Sequence, residues 1–272
     1  MKEFSISPAS MPATLIKHRS LIWALVKREV LGRYRGSMLG ILWSFFNPLM
    51  MLVIYTFVFS VVFKARWSGG SDSKVEFAMI LFSGLLVFNI LSECLNRAPT
   101  LVLMNVNYVK KVVFPLEILP VVSLGCSLFH GAVSLLVWVL FYLVFFGVPP
   151  ATAWLFPVVI LPMLFLTLGL SWLLASLGVY LRDVSQVILL MTTALLFLSP
   201  IFYPVSALPA EIQQVMHFNP LTSTIEDVRG VLVEGRFSNG STYLLRITVA
   251  IVVSWAGFAW FQKTRKGFAD VL

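Results

Sequence analysis

The sequence predicts an all-α membrane protein with six transmembrane helices, an N-terminal amphipathic interface helix and a re-entrant helical hairpin between the fifth and sixth spans. Hydrophobic residues make up 59% of the 272 residues, only 12% are charged, and the mean hydropathy is +0.92. A water-soluble domain of this length needs far more polar surface, so much of this chain must face lipid. The net charge of +8 does not indicate nucleic acid, because the basic residues alternate with long apolar runs instead of forming a continuous stripe.

Six apolar runs are long enough to cross a bilayer, for which a helix needs ~20 residues. The turn at Pro149 and Pro150 separates the third run from the fourth, which would otherwise form one helix too long for a membrane. The first run is too long for the hydrophobic region of a cleaved signal peptide, so we expect it to remain as an anchor. The predicted spans are Met38–Phe63, Phe77–Asn96, Ile118–Gly147, Ala153–Tyr180, Gln186–Tyr203 and Tyr243–Phe261.

The distribution of Lys and Arg predicts the orientation of these spans. With the N-terminus in the cytoplasm, 14 of the 20 Lys and Arg residues fall in cytoplasmic segments and 5 fall in outside loops. Cytoplasmic loops of membrane proteins carry an excess of basic residues, so we expect both termini to lie in the cytoplasm. Three parts follow from this: a cytoplasmic tail with the interface helix (1–37), the membrane domain (38–261) and a second cytoplasmic tail (262–272).

The segment before the first span has a helical pattern. Leu15–Leu31 has an apolar face that carries Trp23 and Val26, although Arg19 interrupts it, and basic residues such as Lys27 lie elsewhere. A basic, imperfectly amphipathic helix beside a span is expected to lie in the membrane interface. A plain solvated helix is the alternative.

Gly32, Gly36 and Gly40 follow this segment at a spacing of four. If the helix continues through them, they line one side and allow a second helix to approach closely. Alternatively, they break the helix and mark a bend before the first span.

Two segments between the spans are predicted to contain short helices. The cytoplasmic loop 97–117 has a helical stretch beginning near Thr100 and a basic pair before Pro115. The outside segment 204–242 contains two short, half-apolar helical patterns that proline interrupts repeatedly. Such a pair fits a re-entrant hairpin that protein shields from lipid, and a folded extracellular cap is the alternative.

The sequence contains no recognisable catalytic or metal-binding motif. It has no GxxxxGK[ST], HExxH or GxSxG pattern, and its two cysteines lack metal-ligand spacing. His130 lies alone in the third span and is expected to be packed and hydrogen-bonded, whereas Glu93 and Arg97 are spaced to pair on one helix. The spans offer no buried relay for an ion-coupled pump, so the energy for any transport must come from another chain.

Five blocks of the sequence resemble the membrane subunits of ABC-2 type polysaccharide exporters, the family of O-antigen, capsule and teichoic acid export permeases. The first block reads REVLGRYRGSMLGILWSFFNPL and the fourth reads LSPIFYP. The blocks cover nearly the whole chain in order: Arg28–Leu49, Asn105–Pro120, Val179–Gln186, Leu198–Pro204 and Phe218–Thr222.

The resemblance implies a homodimer of six-span subunits in the bacterial inner membrane, docked on two copies of a cytoplasmic ABC ATPase subunit. The dimer would enclose a channel for a polyprenyl-diphosphate-linked polysaccharide, with O-antigen as the expected glycan. ATP and Mg would bind to the ATPase, and this chain would bind no cofactor and no metal. The resemblance implies an ATPase-coupling role for loop 97–117, with Thr100, Asn105, Asn107, Tyr108, Lys110 and Lys111, and a periplasmic gate with Ile212, Met216, Phe218 and Ile225.

A polysaccharide also suggests which side chains would line its path. Sugars have polar hydroxyl groups and apolar C–H faces, so aromatic rings can offer stacking without strong fixed sites. The candidate lining, each member of which can instead face lipid or pack in the core, is Trp43, Phe46, Tyr55, Phe59, Phe197, Phe202 and Tyr203. The basic residues that can pair with the lipid diphosphate at the cytoplasmic entrance are Lys27, Arg28, Arg33 and Arg35.

Two other functions are compatible with the sequence. A membrane-embedded transferase acting on polyprenyl-linked glycans would use Glu93, His130 or the pair Arg182 and Asp183. An ABC-2 exporter of a small lipid or drug would share the fold, but it would not need a channel that stays continuous through the membrane.

Overall fold

The computed structural model describes residues 5–58, 74–110, 114–216, 218–237 and 240–272. These residues form helices joined by turns and short irregular segments, and none of them belongs to a strand. Within these ranges, five stretches are long and apolar enough to cross a membrane: Gly40–Val58, Val75–Thr100, Leu116–Phe145, Ala151–Tyr180 and Gly240–Val271. The prediction of an all-α protein with several membrane-length apolar helices is therefore confirmed.

The helices of the described ranges are numbered in chain order. They are α1 (Ser10–Lys17), α2 (Arg19–Arg33), α3 (Trp43–Tyr55), α4 (Lys74–Arg97), α5 (Val106–Lys110), α6 (Leu119–Phe145), α7 (Phe156–Val159), α8 (Leu161–Tyr180), α9 (Val184–Leu198), α10 (Ala210–Met216), α11 (Pro220–Arg229), α12 (Gly240–Thr264) and α13 (Phe268–Val271).

The segment before the first span forms two helices rather than one, with a break at His18. Val26 and Val30 of α2 are buried in a small apolar cluster with residues of α6. Contact is close because α6 has Gly125 at this point, where a Cβ atom would lie 2.7 Å from Val26 Cγ2. Trp23, which the pattern places on the apolar face, is 71% exposed.

The glycines after α2 bend the chain. Helix α2 ends at Arg33, and both Gly36 (φ +85°) and Gly40 (φ +53°) adopt left-handed backbone conformations that favour glycine. The helix does not continue through them, so the structure favours the bend over a helix-contact face.

Helix α4 occupies the centre of the bundle and packs against α3, α6, α8, α9 and α11. Two fully buried tryptophans have their indole N–H groups satisfied by backbone oxygens. Trp138 donates to Met79 at 3.1 Å, and Trp172 donates to Glu117 at 2.8 Å. These bonds stabilise the packing of α6 on α4 and of α8 on the start of α6, because a buried N–H without a partner is costly.

Helices α8 and α12 pack with their backbones in contact. A Cβ atom on Gly169 would lie 2.6 Å from the carbonyl oxygen of Val253, and one on Gly257 would overlap the carbonyl oxygen of Gly169. Small residues at such crossings allow membrane helices to approach closely.

Two predicted spans differ in detail from the structure. The fourth begins with a 3-10 turn (Ala151–Leu155) and the short α7, and its long helix α8 starts only at Leu161, with Pro162 in its first turn. The fifth, predicted as Gln186–Tyr203, is helical only as far as Leu198, since Pro200 follows. The end of the first, from residue 59 onwards, lies outside the described residues.

The segment after α9 contains the two short helices that the sequence predicts. Helix α11 is buried, whereas most of α10 is exposed. Arg229 at the end of α11 donates hydrogen bonds to the carbonyl oxygens of Pro200 (2.6 Å), Ile201 (2.8 Å) and Ile80 (3.3 Å). Asp227 also forms an ion pair of 2.5 Å with Arg246 of α12, so α11 is bound to three neighbouring segments.

Candidate functional site

A groove of about 530 Å³ lies between α3, α4 and α6, with the end of α2 at one side. Its walls differ in chemistry. Helix α3 contributes the aromatic rings of Trp43 and Tyr55 to one wall, together with Ser44 and Asn47, whereas α4 and α6 contribute most of the polar side chains to the other, where α4 also has apolar residues such as Phe82. Besides Arg33 and the two tyrosines, Tyr34 and Tyr55, the polar residues that line the groove are Ser44, Asn47, Asn89, Ser92, Glu93, Asn96, Ser127, His130 and Ser134.

The spacing of these polar residues explains why they share one surface. Asn89, Glu93 and Asn96 on α4 recur every three or four residues, as do Ser127, His130 and Ser134 on α6, so each set lies on one helix face. Polar groups inside membrane helices face the protein interior or a water-filled cavity instead of lipid. Their position along the groove is consistent with that rule.

An aromatic cluster lies where α3 approaches the end of α9. Tyr55 and Phe202 have ring centroids 6.4 Å apart, and Phe202 and Phe197 have centroids 5.8 Å apart. The hydroxyl of Tyr203 donates to the backbone oxygen of Phe197 at 3.1 Å.

The predicted aromatic lining therefore divides into groups. Trp43 and Tyr55 line the groove, and Phe197, Phe202 and Tyr203 form the cluster beside Tyr55. Phe46 packs edge-on against Phe45 at 6.1 Å and is not among the groove-lining residues. Phe59 lies outside the described residues.

Four polar side chains meet at the α2 side of the groove. Arg33 Nη1 donates to Glu93 Oε1 at 2.6 Å, and His130 Nδ1 lies 3.1 Å from Glu93 Oε2. His130 Nε2 lies 3.1 Å from the hydroxyl of Tyr34. Arg33 Nη1 also lies 3.0 Å from His130 Nδ1, so the guanidinium and the carboxylate both approach this ring nitrogen. Burial raises the pKa of Tyr34, so its hydroxyl keeps its proton and can donate to Nε2.

This cluster corrects the predicted pairing of Glu93 with Arg97. Glu93 pairs with Arg33 and His130, and Arg97 pairs with Glu29 of α2. The i,i+4 pair on α4 does not form, because α2 brings Arg33 to Glu93 and Glu29 to Arg97. Helix spacing alone could not reveal this, but Glu93 and His130 are ionisable residues within apolar spans, and that is itself a signal that each needs a partner.

The structure separates the other three predicted entrance residues from the groove. Arg28 donates to the hydroxyl of Tyr108 at 3.3 Å. Lys27 is exposed beside a second, mostly apolar groove of about 780 Å³ between α2 and α6, and Arg35 is exposed in the turn after α2. Only Arg33 of this set lines the polar groove.

In the predicted coupling loop, 3-10 turns at Ala98–Thr100 and Leu103–Asn105 lead into helix α5, so a helical stretch does begin near Thr100 and becomes an α-helix at Val106. Thr100 and Asn105 hydrogen-bond to nearby backbone oxygens, at 3.0 Å to Arg97 and at 2.8 Å to Leu101. These two side chains hold the turns before α5. Asn107 is exposed, and Lys111 lies outside the described residues.

Helix α5 also contacts the last segment of the chain. Tyr108 stacks on Phe114 with ring centroids 4.2 Å apart, and Lys110 donates to the backbone oxygen of Leu272. Arg265 forms an ion pair with the buried carboxylate of Glu117 and donates to the backbone oxygen of Phe114 at 2.6 Å. The loop 97–117 is therefore fixed on both sides, by α2 through Tyr108 and by the segment from Arg265 onwards.

The four predicted gate residues have different environments. Ile212 and Phe218 are exposed, at 47% and 88%, whereas Met216 is buried and Ile225 of α11 is fully buried in the main core. Ile225 thus has a packing role in this structure.

Comparison with known proteins identifies the family. Residues 20–233 match the family described as ABC-2 type transporter. The chain is 29% identical over 258 residues to the O-antigen export system permease protein RfbA of Myxococcus xanthus. This aligned region is 94% of this chain and 96% of that protein. The chain is 25% identical over 254 residues to the protein of the same name from Klebsiella pneumoniae, covering 93% and 95% of the two chains.

A more distant relative is the polysialic acid transport protein KpsM of Escherichia coli. It is 24% identical over 245 residues, covering 88% of this chain and 91% of that protein. These matches agree with the resemblance to polysaccharide export permeases found in the sequence blocks. Because the family match spans most of the sequence, the chain belongs to the ABC-2 type transporter family.

Proposed function

We propose that this chain is the membrane subunit of an ATP-driven exporter that moves a polyprenyl-diphosphate-linked polysaccharide, with O-antigen as the expected glycan, from the cytoplasm to the periplasm. The observation that carries the proposal is the groove between α3, α4 and α6, which has the aromatic rings of Trp43 and Tyr55 on its α3 wall and amides and hydroxyls on both walls. Relatives named as O-antigen export permeases, similar over nearly their whole length, support the same substrate class.

The groove has the chemistry that a passing sugar chain requires. Rings such as Trp43 and Tyr55 can stack on the C–H faces of sugars, and side chains such as Asn89 can exchange hydrogen bonds with their hydroxyls. Within the described groove only Glu93, Arg33 and His130 are ionisable groups other than tyrosine, and they lie together. The remainder offers many weak contacts, which suit movement better than tight binding.

A homodimer would complete this groove. Large apolar side chains of α3 and α9 are exposed, among them Met50, Val53, Leu190 and Met191. Helix α9 borders the groove, because Thr192 donates to the groove residue Asn96 at 2.9 Å. A second copy related by a two-fold axis would cover these faces and close the open side into a channel.

We assign six crossings to the subunit. Helix α9 with the residues up to Tyr203 would form the fifth, and α10 and α11 would form the re-entrant hairpin at the periplasmic end. Burial of α11 supports this assignment, since irregular segments at membrane depth must be enclosed by protein. Both ends would lie on the cytoplasmic side of the bacterial inner membrane, with α1 and α2 at its interface.

Two copies of an ABC ATPase, which carry ATP and Mg, would dock on the loop 97–117. The hydrogen bond from Arg28 to Tyr108 connects α5 in this loop to α2, whose last residue is Arg33. A displacement of α5 by the ATPase would therefore reach the groove through α2.

Reconstitution tests the proposal. The chain and its ATPase are placed in proteoliposomes with a fluorescent polyprenyl-diphosphate-linked glycan, and its appearance on the opposite leaflet is measured. We expect transfer with ATP and none with an ATPase variant unable to hydrolyse it. Transfer without the ATPase, glycan modification by the chain alone, or movement of small lipids but not the polymer would each contradict the proposal; the last two outcomes would favour a transferase and a lipid or drug exporter, respectively.

A further inference from the structure

A separate cavity, of about 410 Å³, adjoins the polar groove at Arg33. Its lining includes Glu29, Arg33, Arg97 and His130, so the two arginines that flank the end of α2 face the same space. Its volume lies in the range of small-ligand pockets, ~300–1,000 Å³. Arg97 is not among the basic residues that the sequence suggests for binding a lipid diphosphate.

Each arginine in this cavity is paired with an internal carboxylate. Arg33 pairs with Glu93 and Arg97 pairs with Glu29. The two ion pairs differ in depth: Glu93 is 18% exposed and Arg33 is 49% exposed, whereas Glu29 and Arg97 are 35% and 33% exposed. A ligand in the cavity can therefore reach both guanidinium groups.

An anion with two acidic groups matches this arrangement. Guanidinium groups bind phosphate oxygens in the same forked geometry that they use for carboxylates, so a phosphate can take the place of a glutamate. Two arginines facing one cavity can each receive one phosphate of a diphosphate. A carboxylate that already occupies the arginine must then be displaced, and its charge opposes the incoming anion.

We propose that Arg33 and Arg97 form a binding site for the diphosphate of a lipid-linked substrate, and that Glu93 and Glu29 occupy the two arginines until the diphosphate displaces them. This inference rests on the proposed function, and it adds Arg97 and the two carboxylates to the substrate site. A diphosphate can replace both carboxylates, whereas a monovalent anion or a single phosphate can replace only one of them, so the diphosphate should bind more tightly.

Calorimetric titration of the full chain in phosphatidylcholine nanodiscs tests the site, since that lipid has no net charge and competes little for the arginines. The probes are geranyl diphosphate, geranyl monophosphate and inorganic pyrophosphate. Because a hydrogen bond to a charged group contributes ~1.5–3 kcal/mol, we expect Arg33→Gln and Arg97→Gln each to weaken geranyl diphosphate binding by about tenfold or more. Glu93→Gln and Glu29→Gln should each strengthen it severalfold.

Several variants control for misfolding. Arg33→Lys keeps the charge but not the fork, and should bind with intermediate affinity. The double variant Glu93→Gln with Arg33→Gln restores the local charge balance, and it should not show the increase in geranyl diphosphate affinity expected of Glu93→Gln alone. Glu211→Gln removes an exposed carboxylate on α10 and should bind like the unmodified chain.

The outcomes separate the possibilities. Unchanged affinity in both Arg33→Gln and Arg97→Gln would overturn the site, and so would weaker binding in both Glu93→Gln and Glu29→Gln. Equal affinity for pyrophosphate and geranyl diphosphate would contradict a lipid-linked ligand, and equal affinity for the monophosphate would contradict a two-phosphate site. If geranyl diphosphate fails to bind while ATP-driven glycan transfer persists, this inference fails and the proposed function stands. If geranyl diphosphate binds as expected but no ATP-driven glycan transfer occurs, the proposed function fails and the diphosphate site stands.

Discussion

Gly257 of α12 lies directly against Gly169 of α8, so that a methyl group on Gly257 would overlap the carbonyl oxygen of Gly169. The two helices therefore meet through their backbones, at the middle of α8 and in the second half of α12. Neither glycine has a left-handed backbone conformation, so the requirement for glycine here is steric.

We predict that Gly257→Ala lowers the free energy of unfolding by ~1–3 kcal/mol, because the added methyl group must push two helix backbones apart. Thermal unfolding in detergent measures the effect. Gly240→Ala at the start of the same helix is the matched control, since its added methyl group would meet open space. Equal stability of the two variants would contradict the steric argument.

The ion pair between Arg265 and Glu117 makes a second prediction about stability. Glu117 is buried, so Arg265→Met leaves a carboxylate without its cation in a poorly solvated position and should cost ~3–5 kcal/mol. The free energy of unfolding should fall less in the double variant Arg265→Met with Glu117→Met than in Arg265→Met alone. A double-mutant cycle of unfolding free energies checks this, with the exposed Lys263→Met as the control expected to change stability little.

Arg229 fixes α11 by donating from three separate nitrogens to three carbonyl oxygens, whereas a lysine would have to reach all three from a single nitrogen. We expect Arg229→Lys to leave at least one of them without a donor, at a cost of ~1–3 kcal/mol, and to loosen α11. Limited proteolysis of the segment 204–237 measures the loosening. The exposed Arg236→Lys provides the comparison, and faster cleavage in both variants alike would argue against a specific role of Arg229.

The aromatic wall of the groove predicts a difference between two neighbouring residues of α3. Trp43 lines the groove and Phe46 does not, although both rings are partly exposed. Loss of one stacking ring at ~0.5–1.5 kcal/mol should slow glycan transfer about two- to tenfold in Trp43→Ala. Transfer in proteoliposomes should remain near normal in Phe46→Ala, and a larger defect there would assign the path to the other side of α3.

The proposed dimer predicts a cross-link between copies. We expect Met50→Cys in one copy and Leu190→Cys in another, differently tagged copy to form a disulfide on mild oxidation, because both positions lie on the exposed faces of α3 and α9. Val252→Cys on α12 is exposed on a helix that packs against α8 and should not react with Leu190→Cys. The native cysteines do not interfere, since both are buried.

The long helices could be predicted from the sequence because their apolar runs exceed what a soluble helix tolerates. Helix α6 runs from Leu119 to Phe145 against the predicted Ile118–Gly147, and α4 runs from Lys74 to Arg97 against Phe77–Asn96. Breaks within apolar runs were harder to predict: Pro157 and Pro162 shift the start of α8 without any change in hydropathy.

The candidate site was only partly predictable. Trp43, Tyr55 and Arg33 could be selected by residue type and position, and the structure places them on the groove. The polar wall was missed, because the preference of Asn89 and Ser134 for a shared cavity depends on how α4 packs against α6. The pairing of Glu29 with Arg97 was also missed, since these residues lie in segments far apart in the chain.

The two walls of the groove differ in how firmly they are held: Leu52 is the one buried residue of α3, whereas α4 lies at the centre of the bundle. If the polymer follows the groove, a bulky or branched sugar unit can gain room only where a wall yields. Helix α3 would move first, while the wall formed by α4 stays in place. A bacterium could then alter the repeat unit of its surface sugars without having to replace the transporter.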